Sequence, residues 1–260
     1  MATMIKNPPF DAQLWLAEPG DDPQQDIQLL LQFLDPEEHE RYAAFKVDHA
    51  RWSYVVAHAL CRIQLSLHFG GAPAAWRFRR EATGRPVLES SPAGFMADAF
   101  SISHAPKAAA SALLLTPPPL GRSIGIDVED PTREMSPILP LARRYFHHHE
   151  YEMLECLPEI ERKQAFFDIW TIKEAVTKAT GKGLQQAFSS FEVNTNPPFF
   201  IGYDDDLQPS TAWSIRQGAT EGGALWALAL RYSTPYQPAL DVRYFKGGQS
   251  ICIMAPEGKN

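Results

Sequence analysis

The sequence predicts an α+β fold of two similar, pseudo-duplicated halves, each with a long helix packed on a small antiparallel sheet. Three observations carry this reading. "TPPPLGR" (116–122) sets three prolines together, which forbids regular structure and parts the chain into an N-terminal half, 1–120, and a C-terminal half, 121–260. Each half then runs short helix, long helix, strands. Regular βαβ alternation is missing, which favours antiparallel pairing.

In the first half, "DPEEHERYAAF" (35–45) reads as a short helix with proline at its start and acids in its first turn. A longer helix follows from Asp48 to about Phe69, with Trp52, Val55, Val56, Ala59, Leu60, Ile63 and Leu67 on its apolar face. "FSISH" (100–104) and "AAASALLLT" (108–116) read as strands. In the second half, "FHHHEYEMLECL" (146–157) resembles the short helix and 158–183 the long one, closed by Gly181 and Gly183. Strands follow at "FEVNT" (191–195), "AWSIRQ" (212–217), "ALWALALRY" (224–232) and "ALDVRYF" (239–245). Ligands often sit at the seam between such halves.

The 260 residues suffice for one large domain or two medium ones. A hydrophobic share of 45% and a charged share of 21% are ordinary for a globular protein. A net charge of −7 argues against general nucleic-acid binding, which needs a basic footprint. Cys61, Cys156 and Cys252 lie far apart without a CxxC spacing, so they read as reduced thiols. No apolar run reaches membrane-spanning length, and "MATMIKNPPFDAQLW" lacks a signal peptide's apolar core. The expectation is a cytoplasmic monomer with no membrane or nucleic-acid partner.

"SIGIDVED" (123–130) is the most informative stretch. Ile124, Ile126 and Val128 alternate with Gly125, Asp127 and Glu129, so a strand here has one apolar face and one face with two carboxylates. Asp130-Pro131 stops it. Two readings are open. An edge strand shows its polar face to water, or the repelling carboxylates hold a hard divalent cation between them, with Gly125 keeping that face open.

Trp170, Glu174 and Lys178 fall at successive i,i+4 steps in "FFDIWTIKEAVTKATGKGL", forming one helical stripe. A surface Glu–Lys pair of this spacing is worth only ~0.2–0.5 kcal/mol. This helix, however, is crowded with phenylalanine, isoleucine and tryptophan, so charges on its buried part need partners.

"IGIDVE", with Glu174 in "WTIKEAVTK" 47 positions after Asp127, resembles the 4′-phosphopantetheinyl transferases of the Sfp type. That family combines a G-[IV]-D-x-[ED] strand with a [FW]-[SCT]-x-K-E-[SA]-x-x-K helix at about this distance, and every defined position is matched. "TGRP" (83–86) and "FSISHA" (100–105) resemble its G-[KR]-P and S-[IV]-S-H segments, so the likeness spans roughly 35–185.

The resemblance implies transfer of 4′-phosphopantetheine from coenzyme A to a serine of an apo acyl or peptidyl carrier protein, releasing adenosine 3′,5′-bisphosphate. It implies two α+β halves with coenzyme A at their interface. Asp127, Glu129 and Glu174 would hold magnesium, or manganese in its place. Lys178 would meet the pyrophosphate, and Glu174 would accept the serine proton. Lys46, Arg51, Arg85, Ser103 and His104 match family positions that contact coenzyme A. The pathways implied are fatty-acid, polyketide or nonribosomal peptide synthesis.

Two other functions compete. A magnesium-dependent hydrolase of a nucleotide diphosphate would consume its substrate with water alone. A non-catalytic coenzyme A or carrier-binding module would have lost ligands, whereas all three carboxylates and Lys178 are intact. Arg77, Arg79 and Arg80, with Trp76 and Phe78 interleaved, read as a strand with one solvated face or as a coenzyme contact. Arg143 and Arg144 are candidates for meeting an acidic carrier. "HHH" (147–149) is set aside as a metal site, because consecutive helical residues splay by about 100° each.

Overall fold

The same run of elements occurs twice in the computed structural model, which describes residues 10–81, 84–92, 100–115, 122–135, 137–183, 186–202, 207, 212–232 and 237–256. The first run is β1 (Ala12–Glu18), α1 (Pro23–Leu31), α2 (Pro36–Ala44), α3 (Asp48–Phe69), the hairpin β2 (Arg77–Arg80) and β3 (Pro86–Ser90), then β4 (Phe100–Ala105) and β5 (Ala108–Leu114). The second is β6 (Ser123–Glu129), α4 (Ile138–Tyr145), α5 (His148–Cys156), α6 (Glu159–Thr180), the hairpin β7 (Phe191–Thr195) and β8 (Pro198–Gly202), then β9 (Trp213–Ala219) and β10 (Leu225–Arg231). Strands pair antiparallel as β1-β5-β4 and as β6-β10-β9, the same order in both.

One element breaks the symmetry. The last strand, β11 (Leu240–Lys246), returns to the first sheet and pairs in parallel with β1, followed by α7 (Gly247–Cys252). The first sheet is therefore mixed rather than purely antiparallel. Asp26 of α1 fastens this return: its carboxylate accepts the backbone N–H groups of Gly20 and Gly248 and the Trp52 indole N–H.

The two sheets pack face to face between the long helices. Leu14 and Leu16 of β1 share one core with Ile124, Ile126 and Val128 of β6 and Leu228 and Leu230 of β10. Fully burying each such side chain is worth about 1.5–3 kcal/mol. Trp15 and Ala17 point the other way, onto Val55, Val56 and Leu60 of α3. On the far side, Ala227 and Ala229 of β10 meet Ile172, Ala175 and Val176 of α6. The layers run helix, sheet, sheet, helix.

Gly125 corrects the sequence reading. Its face is not open: a Cβ there would lie 2.0 Å from the Ala175 carbonyl oxygen and 2.5 Å from the Ala179 nitrogen. The missing side chain lets α6 rest on the backbone of β6.

The duplication extends to buried charge. In the first half, Asp35 and Glu38 form a reciprocal cap at the start of α2. Arg62 of α3, fully buried, reaches both carboxylates at 2.6 and 2.7 Å. In the second half, Glu150 accepts the His147 backbone N–H at the start of α5, and Lys173 of α6, also fully buried, meets it at 2.9 Å. Arg62 and Lys173 each stand fourteen residues into their long helices. Burial pushes the Glu150 carboxyl up and the Lys173 ammonium down, and each charge keeps the other ionised. Lys173 of the "KE" motif is thus a structural residue, locking α6 to α5.

Candidate active site

A cleft of about 490 Å³ opens at the seam of the two halves, between β4, β6 and α6, with the β2–β3 hairpin along one side. Asp127, Glu129, Glu174, Lys178, Ser103, His104 and Arg85 all line it. Lys46 and Arg51 do not belong to this lining. Lys46 is exposed just before α3, and Arg51 hydrogen-bonds the Phe45 carbonyl at 2.9 Å and Asp48 at 3.4 Å. Thr83 of "TGRP" lies outside the described residues, as do residues 116–121 of the proline stretch.

Asp127 is the centre of the constellation. Alternation along β6 turns it from the inter-sheet core toward α6, where it is 4% exposed. Its Oδ1 accepts from Lys178 Nζ at 2.7 Å and from Ser103 Oγ at 3.0 Å. Ser103 Oγ also accepts from Lys178 at 2.8 Å and from the Val128 N–H at 3.2 Å, which ties β4 to β6. The other oxygen, Oδ2, is buried with no hydrogen-bond partner. A buried acceptor left unmade costs about 1–3 kcal/mol, more if charged. This orphaned oxygen fits a hard cation.

The neighbouring acids register the crowding. Burial, then the Asp127 charge, pushes Glu129 up to about 7, against the pull of Arg133 and Lys178. Its carboxylate lies 3.3 Å from Arg133. Glu174 is raised by burial and by Asp127, with Lys178 opposing. His104 is open to the cleft at its surface. The enclosing walls, then His58, Lys178 and Arg80, still hold its imidazole below the ordinary value, so it is neutral at pH 7.

Three residues the sequence reading did not assign, and one member of the basic run that it weighed as a coenzyme contact, complete the walls. His58 of α3, Ser101 of β4 and Thr177 of α6 line the cleft, as does Arg80, the one member of the basic run that does so. Gly181 caps α6 at φ +72°, and a side chain there would come within 2.6 Å of the Arg85 guanidinium. The glycine therefore makes room for Arg85. His58 carried no sequence signal, because its burial and its 2.6 Å contact to Glu38 arise only when α2 folds onto α3.

Residues 123–229 match the model of the 4′-phosphopantetheinyl transferase superfamily. The 4′-phosphopantetheinyl transferase HetI of Nostoc sp. is 30% identical over 222 residues, which cover 85% of this chain and 87% of that one. The chain belongs to this superfamily. The transferase is also 28% identical over 170 residues to the 4′-phosphopantetheinyl transferase Sfp of Bacillus subtilis, covering 65% and 70% of the two chains. It is an enzyme of the Sfp type, a class that transfers phosphopantetheine to carrier proteins. Among solved structures, holo-[acyl-carrier-protein] synthase of Thermotoga maritima aligns at a TM-score of 0.36 and 20% identity, over 43% of this chain and 64% of that one. No helix among the described residues is long and apolar enough to cross a membrane.

Proposed function

We propose that the transferase moves 4′-phosphopantetheine from coenzyme A to a serine of an apo acyl or peptidyl carrier protein, releasing adenosine 3′,5′-bisphosphate. A magnesium or manganese ion would be held by Asp127, Glu129 and Glu174, in the cleft between halves 1–120 and 121–260. The observation that carries this reading is Asp127, with one oxygen fixed by Ser103 and Lys178 and the other buried and unpartnered. When bound, the ion supplies positive charge that neutralises the pyrophosphate and keeps the three carboxylates ionised.

The chain's own groups divide the remaining work. Ser103 and Lys178 hold Asp127 in one orientation, and Lys178, on the cleft wall, is assigned the pyrophosphate as a point charge. Glu174, on the cleft wall, is assigned the acceptor proton. As the serine oxygen bonds to the pantetheine phosphorus, its proton passes to Glu174 and the phosphoanhydride breaks toward the bisphosphate. His104 is assigned a hydrogen bond to a coenzyme phosphate. Arg85, with Arg51 and Lys46 at the start of α3, is assigned the phosphates and adenine of coenzyme A. We place the enzyme in the cytoplasm as a monomer, serving carrier-dependent synthesis of fatty acids, polyketides or peptides.

Mass spectrometry of an apo carrier incubated with coenzyme A, magnesium and the transferase tests this. The carrier gains one phosphopantetheine, and EDTA or loss of its acceptor serine abolishes the gain. Glu174→Gln slows transfer by about a hundredfold or more. Cleavage of coenzyme A at the same rate without any carrier would replace the reading with a hydrolase.

A further inference from the structure

The histidine run, set aside on helical geometry, folds differently from that expectation. Helix α5 starts at His148, so His147 is its N-cap with an extended backbone (φ −62°, ψ 148°). The 100° splay therefore does not separate His147 from His149. Both meet Glu192 of β7, and one donor atom from each of the three residues lies within 4.8 Å of the others. None of the three lines the cleft.

We propose that His147, His149 and Glu192 form a binding site for a zinc-class transition-metal ion, clasping the start of α5 to β7. The donor set is right: two imidazoles and a carboxylate suit zinc, whereas magnesium and calcium favour all-oxygen shells. The spacing is right too. Ligands ~2.0–2.1 Å from a tetrahedral zinc lie ~3.4 Å apart. Glu192 Oε2 stands 3.7 Å from His147 Nδ1 and 3.1 Å from His149 Nδ1, bracketing that separation.

The arms that carry the ligands are fastened to one buried group. Glu150 Oε2 accepts the His147 backbone N–H at 2.9 Å, and its Oε1 accepts the Val193 N–H at 2.8 Å, one residue beyond Glu192. Glu150 is in turn anchored by Lys173 at 2.9 Å. Both sides of the site are thus held before any ion arrives, as a second layer of hydrogen bonds holds metal ligands elsewhere. The helix dipole opposes a cation at an N-terminus; the Glu192 carboxylate offsets it. His149 is half exposed, so an ion has an entry path and a position for water.

The test must separate this site from the carboxylates of the cleft. Zinc is titrated into the full-length protein against a chromophoric chelator, in excess magnesium. Wild type and Asp127→Ala should each take up one equivalent here, while His149→Ala and Glu192→Gln bind at least about tenfold more weakly. Cobalt should give the visible absorption of a four-coordinate ion in the first pair and not in the second. Zinc should raise the Tm of wild type but not of His149→Ala, whose exposed side chain can be removed with the fold intact. Equal zinc affinity in wild type and His149→Ala overturns the site, as does uptake lost only in Asp127→Ala or absent from wild type.

Discussion

Gly125→Ala adds one methyl group at the point where β6 and α6, the strand and helix assigned the metal ligands, touch. The new Cβ would stand 2.0 Å from the Ala175 carbonyl oxygen, and that neighbour is backbone, so no side chain can swing aside. Restoring an ordinary contact near 3.4 Å requires α6 to withdraw from β6 by about 1.4 Å. Glu174 and Lys178 travel with α6, while Asp127 stays on β6. The 2.7 Å Lys178–Asp127 contact would open to about 4 Å, beyond hydrogen bonding. Overpacking of this kind costs about 1–3 kcal/mol, and a 1 Å misplacement in a reacting constellation costs about a hundredfold in rate. The expected outcome is a folded protein with a lower urea midpoint and kcat for carrier modification down by about two orders of magnitude. Gly125→Ala with wild-type midpoint and turnover would refute the claim that backbone proximity sets the site.

Two further predictions use different parts of the molecule. If Arg51 holds the 3′-phosphate, Arg51→Ala should weaken coenzyme A by about ten- to a hundredfold and erase the preference over dephospho-coenzyme A, whereas Lys178→Ala should harm both alike. A preference that survives Arg51→Ala moves that contact to Arg80 or Arg85, which already line the cleft. Burial alone would raise the Glu38 carboxyl, but His58 and Arg62 bring it down to about 2 from 4.5. Its folded value lies below its unfolded one, so its contribution of about 3 kcal/mol is complete above about pH 5 and is lost as pH falls toward 2. Urea unfolding at pH 7 and pH 3 should show this group contributing about 2 kcal/mol less at the lower pH, a difference that Glu38→Gln removes.

Local patterning determined a great deal by itself. Proline after Asp35, the apolar stripe after Asp48 and the glycines after Thr180 set the helices α2, α3 and α6 to within three residues at each end, because propensity, capping and amphipathic period agree there. The alternation in "IGIDVE" put Asp127 and Glu129 on one face, and the i,i+4 stripe put Glu174 beside Lys178. Strand β1 left no such mark. "AQLWLAE" is buried on both faces, one against the second sheet and one against α3, so no polar alternation remains to read. The return of β11 beside β1 is equally silent, since a pairing across more than two hundred residues depends on which edge is left open. Tertiary structure alone decided that Gly125 is a contact and not a gap, that Lys173 faces inward to Glu150 while the adjacent Glu174 faces the cleft, and that His147 meets Glu192. The physical reason is common to all three. Sequence spacing fixes direction within one element, whereas these contacts depend on the distance between two.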